Sequence, residues 1–133
     1  MQVESKVLCE EFRQEANGRY MLLGIYRTGR VVNNLPKEKR WKDPMCWCFF
    51  AGVKLDRSVD ASHYVVRSIS TNGTSLMSDI PLEIRAEGDD FVQLPIRVIM
   101  DMKGPGEIIV NVCKVDSGEV YCELGRFSVV EID

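Results

Sequence analysis

The feature that most constrains this chain is its punctuation. Short apolar runs are cut at near-regular intervals by turn formers. These are Asn17-Gly18, Arg27-Thr28-Gly29, Asn72-Gly73, Gly88-Asp89, Gly104-Pro105-Gly106 and Asp116-Ser117-Gly118. Between them lie strand-like runs at 3–12, 18–26, 45–53, 63–70, 76–85, 91–102, 107–115 and 119–132, with a short return strand at Val31-Val32. No window of helical length carries a sustained apolar stripe at three-to-four spacing. Many short strands at this spacing predict an all-β, two-sheet antiparallel β-sandwich of about eight strands, formed by residues 1–133 as a single domain.

Alternation assigns faces. Ile96, Val98, Met100 and Met102 fall on one side of their strand, with Arg97 and Asp101 on the other. Ile108, Val110 and Val112 repeat the pattern opposite Asn111. One dry and one wet face is the mark of an antiparallel outer layer. Pro81 and Pro95 cannot donate ladder hydrogen bonds, so their strands are expected at a sheet edge or to begin near the proline. At the last turn, pairing apolar with apolar sets Val112 opposite Cys122 and Val110 opposite Leu124. That register needs the three-residue turn Asp116-Ser117-Gly118, with Gly118 left-handed.

Charge and cysteine usage exclude several roles. The formal net charge of −3 argues against general binding to nucleic acid or to an anionic membrane. No run approaches a membrane span, and the opening MQVESKVLCEEF lacks an apolar signal core, so a cytoplasmic chain with reduced thiols is expected. The five cysteines are Cys9, Cys46, Cys48, Cys113 and Cys122. A two-residue turn at Ser117-Gly118 would bring Cys113 opposite Cys122, the one pair placed to bridge.

The chemistry-bearing residues are sparse. His63 is the only histidine, and its surroundings lack a nucleophile elbow. Cys46-Trp47-Cys48 has only half of a zinc ligand set, so buried apolar thiols are the simpler reading. The aspartates at 56, 60, 89, 90 and 116 fall in connectors without a calcium-loop spacing. Lys37-Glu38-Lys39-Arg40-Trp41-Lys42 joins charge to one ring, too little for a single-stranded nucleic-acid groove. No glycine-rich phosphate loop is present. Neither a catalytic residue nor a metal or cofactor ligand is assigned.

Cys9-Glu10-Glu11-Phe12-Arg13-Gln14-Glu15-Ala16-Asn17-Gly18-Arg19, followed by Leu22-Leu23-Gly24-Ile25-Tyr26, resembles a family of small uncharacterised bacterial and phage proteins. Its members open with a strand, Arg-x-Glu-x-x-Gly-(Lys/Arg), then an apolar strand ending Gly-(Val/Ile)-Tyr. A short strand and a proline follow, as at Val31-Val32 and Leu35-Pro36. The resemblance covers about 35 residues. It implies a β-sandwich from a bacterium or phage and supplies no catalytic residue.

Two strands are apolar on both faces. In one, Met21, Leu23 and Ile25 oppose Tyr20, Leu22 and Tyr26. In the other, Cys46, Cys48 and Phe50 oppose Met45, Trp47 and Phe49. A sandwich buries one face of each sheet, so the second needs a cover: the connectors 33–44 or 54–62, or another protein. The expected function is a non-enzymatic protein-interaction or assembly module, with Tyr20, Leu22, Tyr26, Trp41, Trp47 and Phe49 at the partner surface and a homodimer as one form. The alternative is a β-sandwich that binds calcium, a carbohydrate or another small ligand through its loop aspartates and Trp41.

Overall fold

A computed structural model describes residues 1–54, 63–82 and 91–132. The strands in chain order are β1 (Gln2–Gln14), β2 (Tyr20–Ile25), β3 (Arg30–Asn33), β4 (Met45–Lys54), β5 (Tyr64–Ser70), β6 (Gly73–Ser75), β7 (Ile80–Pro81), β8 (Phe91–Met102), β9 (Gly106–Lys114) and β10 (Val120–Glu131). One 3-10 turn, Lys37–Lys39, lies between β3 and β4. The described chain is all-β apart from that turn.

The expected division into two sheets is corrected. All ten strands belong to one sheet, in the order β2-β1-β4-β8-β6-β5-β9-β10-β3, with β7 paired to β5. The join is β6, three residues long, which pairs with β8 through Gly73↔Met102 and with β5 through Ser70↔Gly73. Four strands separate β4 from β10 along the sheet, a distance of roughly 24 Å if it lay flat. Yet the rings of Trp47 on β4 and Phe127 on β10 stand 5.3 Å apart. The sheet therefore folds back on itself, and its two halves enclose the core as two sheets would. Trp47, Phe49, Ala51 and Val53 meet Phe127 and Val129 inside it.

Local chemistry explains the pairings. Gly18 takes φ +83 in the β1–β2 turn, where the backbone N–H of Arg19 donates to Asn17 Oδ1 at 3.0 Å. Gly118 is left-handed at φ +72, and Cys122 lies opposite Val112, as the apolar register requires. Cys113 stands opposite Val120. A bulge between Glu123 and Gly125 then sets Gly125, not Leu124, opposite Val110. It places Gly125 under the Phe49 ring, where a Cβ would come within 2.5 Å.

Among the described residues, both prolines lie beside edges with no partner strand. Pro81 is on β7, whose described partner is β5 alone. Pro95 is on a stretch of β8 that β6 does not reach. Val31-Val32 forms the short β3, but beside β10 and parallel to it. Ile96, Val98, Met100 and Met102 are buried, as are Ile108, Val110 and Val112. Asn111 departs from its expected wet face and is only 5% exposed. β9 is flanked on both sides here, and Asn111 stands between Arg67 of β5 and Glu123 of β10, two long neighbours in register with it. Of the expected strand at 76–85, Ile80-Pro81 is paired, and residues 83–85 lie outside the described residues.

Candidate interaction surface

The inward face of β4 is the Trp47 face. Trp47 and Phe49 are 2% and 3% exposed, which corrects their expected place at a partner surface. The physical reason is the fold-back of the sheet, which brings Phe127 and Gly125 of β10 against these two rings. Tyr26 is half-buried against the same core, its phenol pushed above its ordinary pKa first by burial and then by the Glu10 carboxylate.

Trp41 is also turned onto the core. Its backbone holds φ +62, a conformation uncommon for a bulky residue, and its indole N–H donates to Glu131 Oε2 at 3.3 Å. Next to it, Arg40 donates to the carbonyls of Leu35 and Ile132, both at 2.6 Å, and pairs with Glu131. These bonds latch residues 35–41 across the end of β10 beside β3. Trp41 is thus a structural residue, not an open aromatic wall.

The other face of β4, with Cys46, Cys48 and Phe50, has a different cover. Tyr20 lies edge-on to Phe50 at 5.1 Å and to Phe12 at 6.1 Å. The Arg97 guanidinium sits 5.1 Å from the centre of the Phe12 ring and grips Glu11 through both carboxylate oxygens, at 2.7 and 3.4 Å. The Cys48 thiol donates to Glu11 Oε1 at 3.7 Å, while Arg97 Nη1 approaches its sulfur at 3.9 Å. Beneath this lid Cys48 is buried and Cys46 remains exposed. Burial pushes the Cys48 thiol up to about 11 despite the nearby guanidinium. The expected cover from residues 33–44 lies elsewhere, at the β3–β10 end; residues 55–62 are outside the described residues.

What stays open is the far side of β2. Tyr20 and Leu22 are half-buried. The alternate residues Met21, Leu23 and Ile25 are 41%, 45% and 57% exposed. β2 ends the sheet, so its outer edge has no described partner strand. Gly24 at φ +67 interrupts that edge, leaving Tyr20–Leu23 as the regular stretch. Exposed Arg19 and Arg27 bracket the strand, and neither forms an ion pair with a described residue. The expected partner residues Tyr20 and Leu22 lie on the half-buried face of this strand, and the alternate residues are the exposed ones. Phe12, opposite Leu22, packs on Tyr20, and Tyr20 in turn packs on Phe50 of β4.

A cleft of about 330 Å³ lies where β1 and β10 approach, lined by Val3, Glu4, Ser5, Lys6, Glu123, Leu124 and Gly125. It is open to solvent, and its Glu123 is held by Arg126, which lowers the carboxyl pKa. His63 is exposed, and its carbonyl accepts from the Val115 N–H at 2.9 Å. Among the described residues no three His, Cys, Asp or Glu side chains gather as metal ligands. Asp116 lies in the β9–β10 turn, and the aspartates at 56, 60, 89 and 90 fall outside the described residues. No described helix is long and apolar enough to cross a membrane. Compared with family models, curated proteins and solved structures, the chain matches none of them.

Proposed function

We propose that this chain is a non-enzymatic protein-interaction module whose docking element is β2. The observation that carries the reading is a sheet-terminal strand with Met21, Leu23 and Ile25 exposed along one face. An edge strand offers unpaired backbone groups, and alternate apolar side chains give it selectivity. Soluble proteins blunt such edges unless they are used.

The arginines at either end indicate the partner. Self-pairing that matches the three apolar residues would centre on Leu23 and set Arg19 opposite Arg27 of the second copy. Like charges facing across a strand pair are destabilising. The complementary partner is an extended segment of another protein, apolar at alternate positions and acidic at its flanks.

The test is selection from a library of extended peptides, with Met21→Glu/Leu23→Glu as the control protein. Enriched peptides should show apolar alternation with acidic flanks, and should lose at least tenfold in affinity for the double variant at unchanged thermal stability. Peptides that bind both proteins equally, or a wild-type protein that dimerises through β2 instead, would overturn the assignment of a heterologous strand.

A further inference from the structure

We propose that Cys9 and Cys48 are a disulfide-forming site that staples β1 to β4. The proposal is independent of the docking strand. Cys9 lies directly opposite Cys48 in the antiparallel β1–β4 pair. Directly opposed residues share a face, and their Cα atoms lie about 4.5–5.5 Å apart. That is inside the roughly 4.4–6.8 Å over which a disulfide closes without moving the backbone.

The other thiols are not so placed. Cys113 faces Val120 and Cys122 faces Val112; Cys122 also packs toward the core, whereas Cys113 is outside that cluster. Cys46 is opposite Ile99 on β8.

Both thiols are free and buried: Cys48 lies beneath the Glu11 and Arg97 side chains, and the backbone of Glu11 and Leu23 meets the Cys9 sulfur. Burial raises the pKa of both thiols, so exchange is slow until the cover opens; at Cys48 the Arg97 guanidinium, 3.9 Å from the sulfur, offsets part of that rise and the Glu11 carboxylate adds to it. Exposed Cys46, two residues along the same face, marks where a reagent enters. The oxidant is a low-molecular-weight disulfide, R–S–S–R. One protein thiolate attacks it, breaking its S–S bond and releasing R–SH. The second attacks the protein sulfur of the mixed disulfide, forming Cys9–S–S–Cys48 and releasing another R–SH. Two protein thiols are oxidised, one small disulfide is reduced, and both protons leave on the R–SH products.

The test equilibrates the wild-type chain in glutathione buffers of rising disulfide-to-thiol ratio, blocks thiols with N-ethylmaleimide and maps unreduced peptides by mass spectrometry. A peptide pair joining Cys9 to Cys48, two hydrogens lighter and released by dithiothreitol, should accumulate to a plateau. Cys46→Ser should keep that bridge, and the oxidised protein should melt at a higher temperature than the reduced one. Recovery of Cys9 and Cys48 as maleimide adducts after denaturation, at ratios where Cys46 already carries glutathione, would overturn the proposal. So would a dominant Cys46–Cys48 or Cys113–Cys122 bridge.

Discussion

Trp47 stands edge-on to Phe127, ring centroids 5.3 Å apart at an interplanar angle of 73°, although four strands intervene between β4 and β10. This contact pins the fold-back of the sheet. Edge-to-face pairs contribute beyond their burial, by about 0.5–1.5 kcal/mol. Trp47→Leu and Phe127→Leu should each destabilise, and the double variant should lose less than their sum by roughly that coupling. Urea unfolding of the four proteins measures it. Strict additivity would mean that the two halves of the sheet are held together elsewhere.

Gly125 allows the same closure. Its Cβ position is 2.5 Å from the Phe49 ring and 3.2 Å from the Lys6 side chain. Gly125→Ala should cost about 1–3 kcal/mol, the usual penalty for overpacking a filled core. Adding Phe49→Leu to Gly125→Ala should return part of that loss, because the colliding ring is gone. If Gly125→Ala proved neutral by thermal melting, the approach of β10 to β4 would be looser than the geometry states.

Acid should weaken the lid over Cys48. The Arg97 guanidinium holds the Glu11 carboxyl below its ordinary value of 4.5, with help from the Phe12 N–H. A lowered folded-state pKa contributes stability that is present above 4.5 and lost as the pH falls through the folded value. Asp79, held down by Arg67, follows the same sign. Glu11→Gln should therefore have a lower urea midpoint than wild type at pH 7, and the gap should narrow below pH 4.5 and close once the pH has fallen through the folded-state value. A gap that persists in acid would remove the ion pair from the explanation.

How much of this was legible in the sequence depends on distance along the chain. Asn17-Gly18 and Asp116-Ser117-Gly118 specify hairpins from within themselves, and the left-handed Gly118 follows from the apolar register around it. Pro81 and Pro95 announce edges because a missing N–H is a local fact. By contrast, β6 is three residues of Gly-Thr-Ser with no apolar pattern, and it decides whether the structure has one sheet or two. The parallel pairing of β3 with β10 joins residues about a hundred apart and leaves no local trace. The two faces of Met45–Phe50 are equally apolar, so only the position of Phe127 and the Phe12–Tyr20 lid distinguishes them. In Tyr20–Ile25 the apolar character of both faces was readable, and which face stays exposed was not. The cysteine pairing of interest was hidden for the same reason: Cys9 and Cys48 meet through the β1–β4 register, not through any spacing.

The docking strand is tested most directly by backbone hydrogen exchange, read by mass spectrometry, with and without a selected acidic-flanked peptide. Strand addition predicts slowed exchange at Tyr20–Leu23, where the edge is regular, and little change at β3, the opposite end of the sheet, where Arg40 and Trp41 latch the adjoining segment. Protection at β3 or in the β1–β10 cleft, with Tyr20–Leu23 exchanging as in the free protein, would contradict the account.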